Sequence, residues 1–213
     1  MIKCFSFNLL GTNCYVVSDG NSGRCAITDP GCYSQQEREQ LEKYIEDNSL
    51  TPVAVLLTHC HFDHSLGVEW CLKRWNIPLY MSAADREQIA FNIQACPQFG
   101  YRYEWSHQDF TPVSDGQTIE IGDLKIKVLA TPGHTKGGVC YLIESEGVVL
   151  SGDTLFRDSI GRTDLLGGDL DKLRASISEK LLTLPGDYDV LPGHGPVTSI
   201  AYEQNNPFLY GFH

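Results

Sequence analysis

Three imidazoles and a carboxylate fall within six consecutive residues, His59-Cys60-His61-Phe62-Asp63-His64, and any fold open to this chain has to accommodate them. An ordinary turn has no need of so dense a group of metal-ligand side chains. The group follows Pro52 and the run Val53-Ala54-Val55-Leu56-Leu57-Thr58, continuous and partly β-branched, as expected of a strand buried on both faces. Residues just past a strand end are held by the sheet yet project from a loop at its edge, where sites are usually built. His59 and His61, two apart in an extended turn, can point the same way and share one metal ion. Asp63 and His64 continue around the turn toward a second, and Cys60 and Phe62 should point away.

Three further segments repeat the pattern of a donor after a strand. His134 stands in Thr131-Pro132-Gly133-His134-Thr135, Asp153 in Ser151-Gly152-Asp153-Thr154, and His194 in Pro192-Gly193-His194-Gly195-Pro196. Gly133, Gly152 and Gly193 let the backbone turn tightly, so that each donor reaches the metal without a Cβ clash. His107 and His213 lack such surroundings and read as ordinary hydrogen-bonded histidines. A purely structural zinc site is disfavoured, because such sites are closed and rich in cysteine.

The rest of the chain supplies strands and a few amphipathic helices, so the fold class is α/β. Residues 13–17 and 24–28 flank the turn-forming Asp19-Gly20-Asn21-Ser22-Gly23 and read as a hairpin. So do 118–121 with 124–128, and 139–143 with 148–150. Ser34 and Glu37 form a capping box ahead of the apolar stripe Leu41, Tyr44 and Ile45, which predicts a helix from Ser34 to Asp47. Leu170, Leu173, Ile177 and Leu181 predict another, and Asp189-Val190-Leu191 a last short strand before His194.

At 213 residues the chain is expected to form a single domain, 1–213. Its cysteines are scattered without a C-x-x-C pair and read as reduced, mostly buried thiols. No apolar run is long enough for a membrane span, and the start leads straight into a strand-like segment, so the expected location is cytoplasmic, with no membrane partner. The net charge of −11, with no basic run or stripe, argues against nucleic acid as a partner.

The T-H-x-H-x-D-H motif at 58–64, the Pro132-Gly133-His134-Thr135 turn, the Ser151-Gly152-Asp153-Thr154 strand end and Gly193-His194 together resemble the metallo-β-lactamase superfamily over nearly the whole chain. Asp63-His64 and Gly152-Asp153-Thr154-Leu155-Phe156 look most like its glyoxalase II group, which hydrolyses hydroxyacylglutathione thioesters. The resemblance implies an αββα sandwich with two divalent metal ions along one edge, zinc, with iron or a mixed zinc and iron pair also compatible. It assigns His59, His61 and His134 to the first ion, Asp63, His64 and His194 to the second, and Asp153 to both. It further implies a metal-bound hydroxide that attacks the carbonyl of a small-molecule thioester, with Asp63 and Asp153 as the catalytic carboxylates.

Longer glyoxalase II enzymes carry a C-terminal helical domain with basic contacts to glutathione. No such domain is expected here, and Pro196 stands where the family commonly has Tyr. Near the site remain Arg157 and Arg162, and Arg162 occupies the place of a basic substrate-contacting residue, a carboxylate anchor through its guanidinium fork. The alternative is a mono-iron persulfide dioxygenase, which shares the T-H-C-H-x-D-H motif and the segment Gly161-Arg162-Thr163-Asp164. Leu155-Phe156 and the Gly193–Pro196 ending favour the compact hydrolases. Asp153, where zinc β-lactamases typically have Cys, argues against β-lactamase activity.

Overall fold

A computed structural model describes residues 1–106, 109–207 and 209; His107 and His213 lie outside them. Two six-stranded sheets organise the described residues. In chain order the first contains β1 (Ile2–Phe7), β2 (Thr12–Ser18), β3 (Arg24–Thr28), β4 (Thr51–Leu56), β5 (Leu79–Met81) and β6 (Thr111–Pro112). Neighbours are antiparallel from β1 to β3 and parallel from β3 to β6. The second contains β7 (Thr118–Ile121), β8 (Leu124–Ala130), β9 (Val139–Ile143) and β10 (Val148–Gly152). A small hairpin, β11 (Leu155–Phe156) with β12 (Ser159–Ile160), precedes its last strands, β13 (Asp189–Pro192) and β14 (Thr198–Ser199). All three hairpins expected from the sequence form.

Period-two alternation sorts the side chains into layers. Tyr15 and Val17 of β2 meet Ile126, Val128 and Tyr141 between the sheets. Their neighbours Cys14 and Val16 point the other way, onto Leu41 and Ile45 of α1 (Gln35–Asp47). Further along, α2 (Phe62–Ser65) is a single turn, and α3 (Val68–Trp75) adds Val68, Cys71 and Leu72 to that outer layer. The helix α4 (Arg86–Ala95) comes next. On the second sheet's outer face, Leu129, Cys140 and Leu142 pack with Leu173 of α5 (Leu170–Ser176) and Ile200 of α6 (Ile200–Gln204). The four layers are thus αββα, and strands covered on both sides explain the unbroken apolar runs. Seven cysteines are buried and all eight are free thiols; Cys4 is the exposed one.

The capping box is formed: Ser34 Oγ accepts from the Glu37 N–H, and the Glu37 carboxylate accepts from the Ser34 N–H. Some boundaries differ from the sequence reading. The α5 helix stops at Ser176, and Ile177–Leu181 winds as a wider π-type turn. β4 ends at Leu56, because the Thr58 N–H leaves the ladder for the Asp29 carboxylate at 2.8 Å. The α4 helix was not legible at all, since its buried face is polar: Gln88 and Asn92 stand where an apolar stripe would be sought. None of the described helices is long and apolar enough to cross a membrane.

Candidate metal centre and active site

The loops after β4, β8, β10 and β13 meet at one edge of the sandwich and bring the seven donors together. His59, His61 and His134 form one close group, and Asp63, His64 and His194 another. In the first, His61 Nδ1 lies 3.1 Å from His59 Nε2 and 2.9 Å from His134 Nε2. In the second, Asp63 Oδ2 lies 3.2 Å from His194 Nε2 and 3.4 Å from His64 Nε2. Asp153 sits between them: Oδ1 is 3.3 Å from His64 Nε2, and Oδ2 is 3.5 Å from His134 Nε2 and 3.6 Å from His194 Nε2. Donors about 2.0 to 2.1 Å from a tetrahedral ion stand roughly 3.3 Å apart, which is the spacing seen.

The hydrogen bonds behind the imidazoles fix what they present to the front. His134 Nδ1 faces the Arg162 carbonyl at 2.7 Å, and His194 Nδ1 faces the Leu10 carbonyl at 3.1 Å. A carbonyl only accepts, so both Nδ1 atoms carry the hydrogen and both Nε2 atoms turn a lone pair inward. His64 Nδ1 is held by Asp29 Oδ2 at 3.0 Å. Thr58 gives its hydroxyl hydrogen to the same Asp29 oxygen at 2.6 Å, so its Oγ1 accepts from His59 Nδ1 at 3.1 Å. Several lone pairs therefore converge where Asp153 Oδ1, buried, finds no hydrogen-bond donor among the described residues. Such a donor set suits a cation, so these residues fit divalent metal ions.

The electrostatics point the same way. Burial, reinforced by neighbouring imidazoles, holds His59 well below the ordinary histidine pKa and lowers His61 to about 3. Burial also opposes charge on His64, yet Asp63, Asp153 and Asp29 overcome it and hold this imidazole well above its usual pKa. Burial would raise Asp63 and Asp153 too, but His64 leads the contacts that keep both carboxyls below their usual range. The second group thus carries a negative potential that a proton or a cation can balance.

Gly193 brings the β13 loop against Asp153 so closely that a Cβ would run into Asp153 Oδ1. Gly152, at φ +50°, aims Asp153 from the end of β10. Cys60 is turned into the first core, its thiol pushed up to about 12 by burial. Phe62 instead becomes a wall of the cavity above the donors, its ring 5.1 Å from that of Phe99.

That cavity, about 550 Å³, has His61, Asp63, His134, Asp153 and His194 at its base. Arg162 stands on its rim, its guanidinium fork bonded to both Asp164 oxygens at 2.7 and 2.8 Å. Arg157 is not among the lining residues; its guanidinium lies 5.0 Å from the centre of the Tyr202 ring.

Sequence reasoning missed Asp29, Thr12, Thr58 and Asp85 as supports of the site. Thr12 donates to Asp63 Oδ2 at 2.8 Å. Asp29 holds a left-handed backbone at φ +49° while bonding Thr58 and His64. The buried Asp85 carboxylate accepts from the Cys60 N–H at 2.9 Å, the Gly137 N–H at 2.7 Å and the Thr135 hydroxyl at 3.0 Å, tying two donor loops together. An unsatisfied buried donor costs about 1–3 kcal/mol, so Asp85→Ala is expected to lower unfolding stability by about 3 kcal/mol. Urea denaturation checks this; a loss under about 1 kcal/mol would show that the loops do not depend on the carboxylate.

Residues 7–194 match the family described as the metallo-beta-lactamase superfamily. A probable metallo-hydrolase of Bacillus subtilis, YqgX, is 40% identical over 201 residues, covering 93% of this chain and 92% of the relative. The hydroxyacylglutathione hydrolase GloC of Haemophilus influenzae is 34% identical, covering 92% of each. Among solved structures, the BLEG-1 B3 metallo-beta-lactamase superposes with a TM-score of 0.90 at 37% identity, covering 99% of this chain and 100% of that one. TTHA1623 in a di-iron-bound form gives 0.86 at 33% identity, covering 97% and 99%. ETHE1 from Myxococcus xanthus gives 0.81 at 27% identity, covering 99% and 85%.

Proposed function

The chain belongs to the metallo-β-lactamase superfamily, and on that premise we propose that it is a binuclear metal-dependent hydrolase of small-molecule thioesters, such as a hydroxyacylglutathione. The observation that carries this reading is the pair of donor groups with Asp153 between them, opening at the base of one cavity. The relative named hydroxyacylglutathione hydrolase supports the thioester. We assign His59, His61 and His134 to one ion, Asp63, His64 and His194 to the other, and Asp153 to both.

Divalent ions bound there would polarise a carbonyl and lower the pKa of water, supplying a nucleophile near neutrality. The chain's own part is positional. Thr12 donates to Asp63 Oδ2 and so fixes the carboxylate, which can orient an incoming water by hydrogen bonding. The carbonyl contacts behind His134 and His194 hold both rings in one tautomer through turnover. Thiolates leave readily, so the site needs no strong general acid.

Zinc is the metal we assign; iron accepts the same nitrogen and oxygen donors, and the di-iron form of TTHA1623 is the reason to test it. The second reading, a mono-iron persulfide dioxygenase, draws on Thr58-His59-Cys60-His61 and Gly161–Asp164. The two differ in what they ask of the metal, since zinc cannot exchange electrons with oxygen. Zinc-reconstituted enzyme is expected to cleave S-lactoylglutathione under anaerobic conditions. Neither the zinc nor the ferrous form should consume oxygen with glutathione persulfide. The check is an oxygen-electrode trace beside a thioester assay on both preparations, with a β-lactam as a control substrate. Rapid oxygen uptake by the iron form, with no thioester cleavage by either, would replace the hydrolase reading by the second one.

A further inference from the structure

The cavity over the donors is built mainly of hydrocarbon. Leu10, Phe62 and Phe99 contribute apolar surface, the Phe62 and Phe99 rings 5.1 Å apart, as do Phe91 of α4 and Leu165 on the loop that follows β12. Gln94 and Gln98 add neutral amides. Of the lining residues, Leu10 is 42% and Phe99 48% exposed, and the chain neighbours Leu9, beside Leu10, and Leu166, beside Leu165, are 85% and 39% exposed. Exposed large hydrophobic side chains gathered from separate segments around a cavity mark a binding surface more often than chance.

The segments are also tied in place. Tyr101 Oη accepts from the Leu9 N–H at 2.7 Å, and Gln88 Nε2 donates to the Leu166 carbonyl at 2.7 Å, joining the loop to α4. A wall held this way needs little ordering when a ligand enters.

Charge is the other half of the observation. Apart from the histidines of the donor groups, Arg162 is the one basic side chain among the described residues that line the cavity, and its guanidinium is engaged by Asp164, so the walls away from the metal ions offer little to attract an anion. A ligand part that enters here is therefore best left uncharged and apolar.

We infer that the cavity receives an apolar acyl chain of about six to eight carbons, so that the substrate class is a medium-chain acyl thioester in preference to a short hydroxyacyl one. This rests on the thioester reading above. The acyl side is the one assigned to the cavity because soluble thiol carriers are themselves polar and suit the solvent beyond the rim. A volume of about 550 Å³ lies within the usual range for small-molecule sites and has room for such a chain along the apolar walls.

The test uses S-acyl-N-acetylcysteamine thioesters from acetyl to octanoyl, with the lactoyl ester beside them, on the zinc-loaded enzyme. Burial of each CH₂ corresponds to at most about fourfold, so kcat/KM should climb roughly three- to fourfold per CH₂ up to hexanoyl. Phe91→Ala and Phe99→Ala should each lower the ratio of octanoyl to acetyl kcat/KM at least about tenfold. A second readout needs no turnover: calorimetry on metal-free protein with ketone analogues, a CH₂ replacing the sulfur, should show affinity rising along the same series. Hydrolysis that is flat or falls with chain length, or phenylalanine variants that leave the ratio intact, would overturn the apolar assignment while leaving a thioester hydrolase. Graded ketone binding with no hydrolysis of any ester would instead sink the thioester reading, and the substrate class with it.

Discussion

Asp153→Ala is expected to reduce turnover by about 10³-fold or more and to lower bound metal from two ions to at most one, because a single carboxylate faces both donor groups. Of the other donors, His61, His134, Asp63 and His194 each belong to one group, while His59 and His64 also form a third group with Asp153 itself. Removing His61, for example, leaves Asp63, His64 and His194 as they stand, whereas removing Asp153 takes a negative charge from beside His64, His134 and His194 together. Among the described residues its carboxylate oxygens face nitrogens of the donor groups, His64, His134 and His194, so its burial serves the metal-binding set. Loss of stability by unfolding is therefore not the expected route to inactivity. Metal analysis by mass spectrometry, set beside a thioester assay and a denaturation curve on the same protein, separates the routes. Two ions retained with near-normal turnover would show that Asp153 does not bridge.

What the sequence made legible, and what it did not, follows from which physical signal each part carries. Donors are legible because imidazoles and carboxylates crowded after β-branched runs serve few purposes besides holding a metal ion, and the layers are legible because strand side chains alternate. The supports behind the donors are different. Asp85 sits in an unremarkable Ser-Ala-Ala-Asp-Arg stretch, and its partners are two backbone N–H groups and a hydroxyl that lie far along the chain. Nothing local distinguishes it from a solvated carboxylate. Thr12 and Asp63 are likewise joined only by the approach of β2 to the donor loop. The cavity wall was hidden for the opposite reason: α4 turns polar residues inward and leaves Phe91 and the following Phe99 to the cavity, reversing the pattern by which a helix is usually sought. Arg162 shows the limit of position in sequence as a guide. It reaches the rim as expected, yet its side chain meets Asp164, while its backbone carbonyl is what holds His134.

The glycines beside the donors lead to the remaining large effect, since one of them tests geometry without removing any ligand. Gly193→Ala adds a single methyl group, at a backbone conformation that alanine can adopt, so strain in φ is not the issue. The difficulty is space. The new Cβ would collide with Asp153 Oδ1, stand 2.7 Å from His64 Cε1 and 3.0 Å from the Gly152 carbonyl carbon. Two of these belong to donor side chains and the third to the strand end that carries Asp153. The neighbours cannot yield easily, because the Gly193 N–H donates to the Gly152 carbonyl at 2.8 Å and the Gly193 carbonyl accepts from the Asn13 N–H at 2.7 Å, clamping the loop between β10 and β2. Asp153 must therefore move, and a displacement of about 1 Å at a reacting centre costs roughly 10²-fold. The expected result is a loss of about that size in kcat/KM, together with weaker metal retention on dialysis and an overpacking cost of about 1–3 kcal/mol in stability. A Gly193→Ala enzyme that kept full metal content and wild-type kcat/KM would mean that Asp153 has room to move without consequence, and would count against its place between the two donor groups.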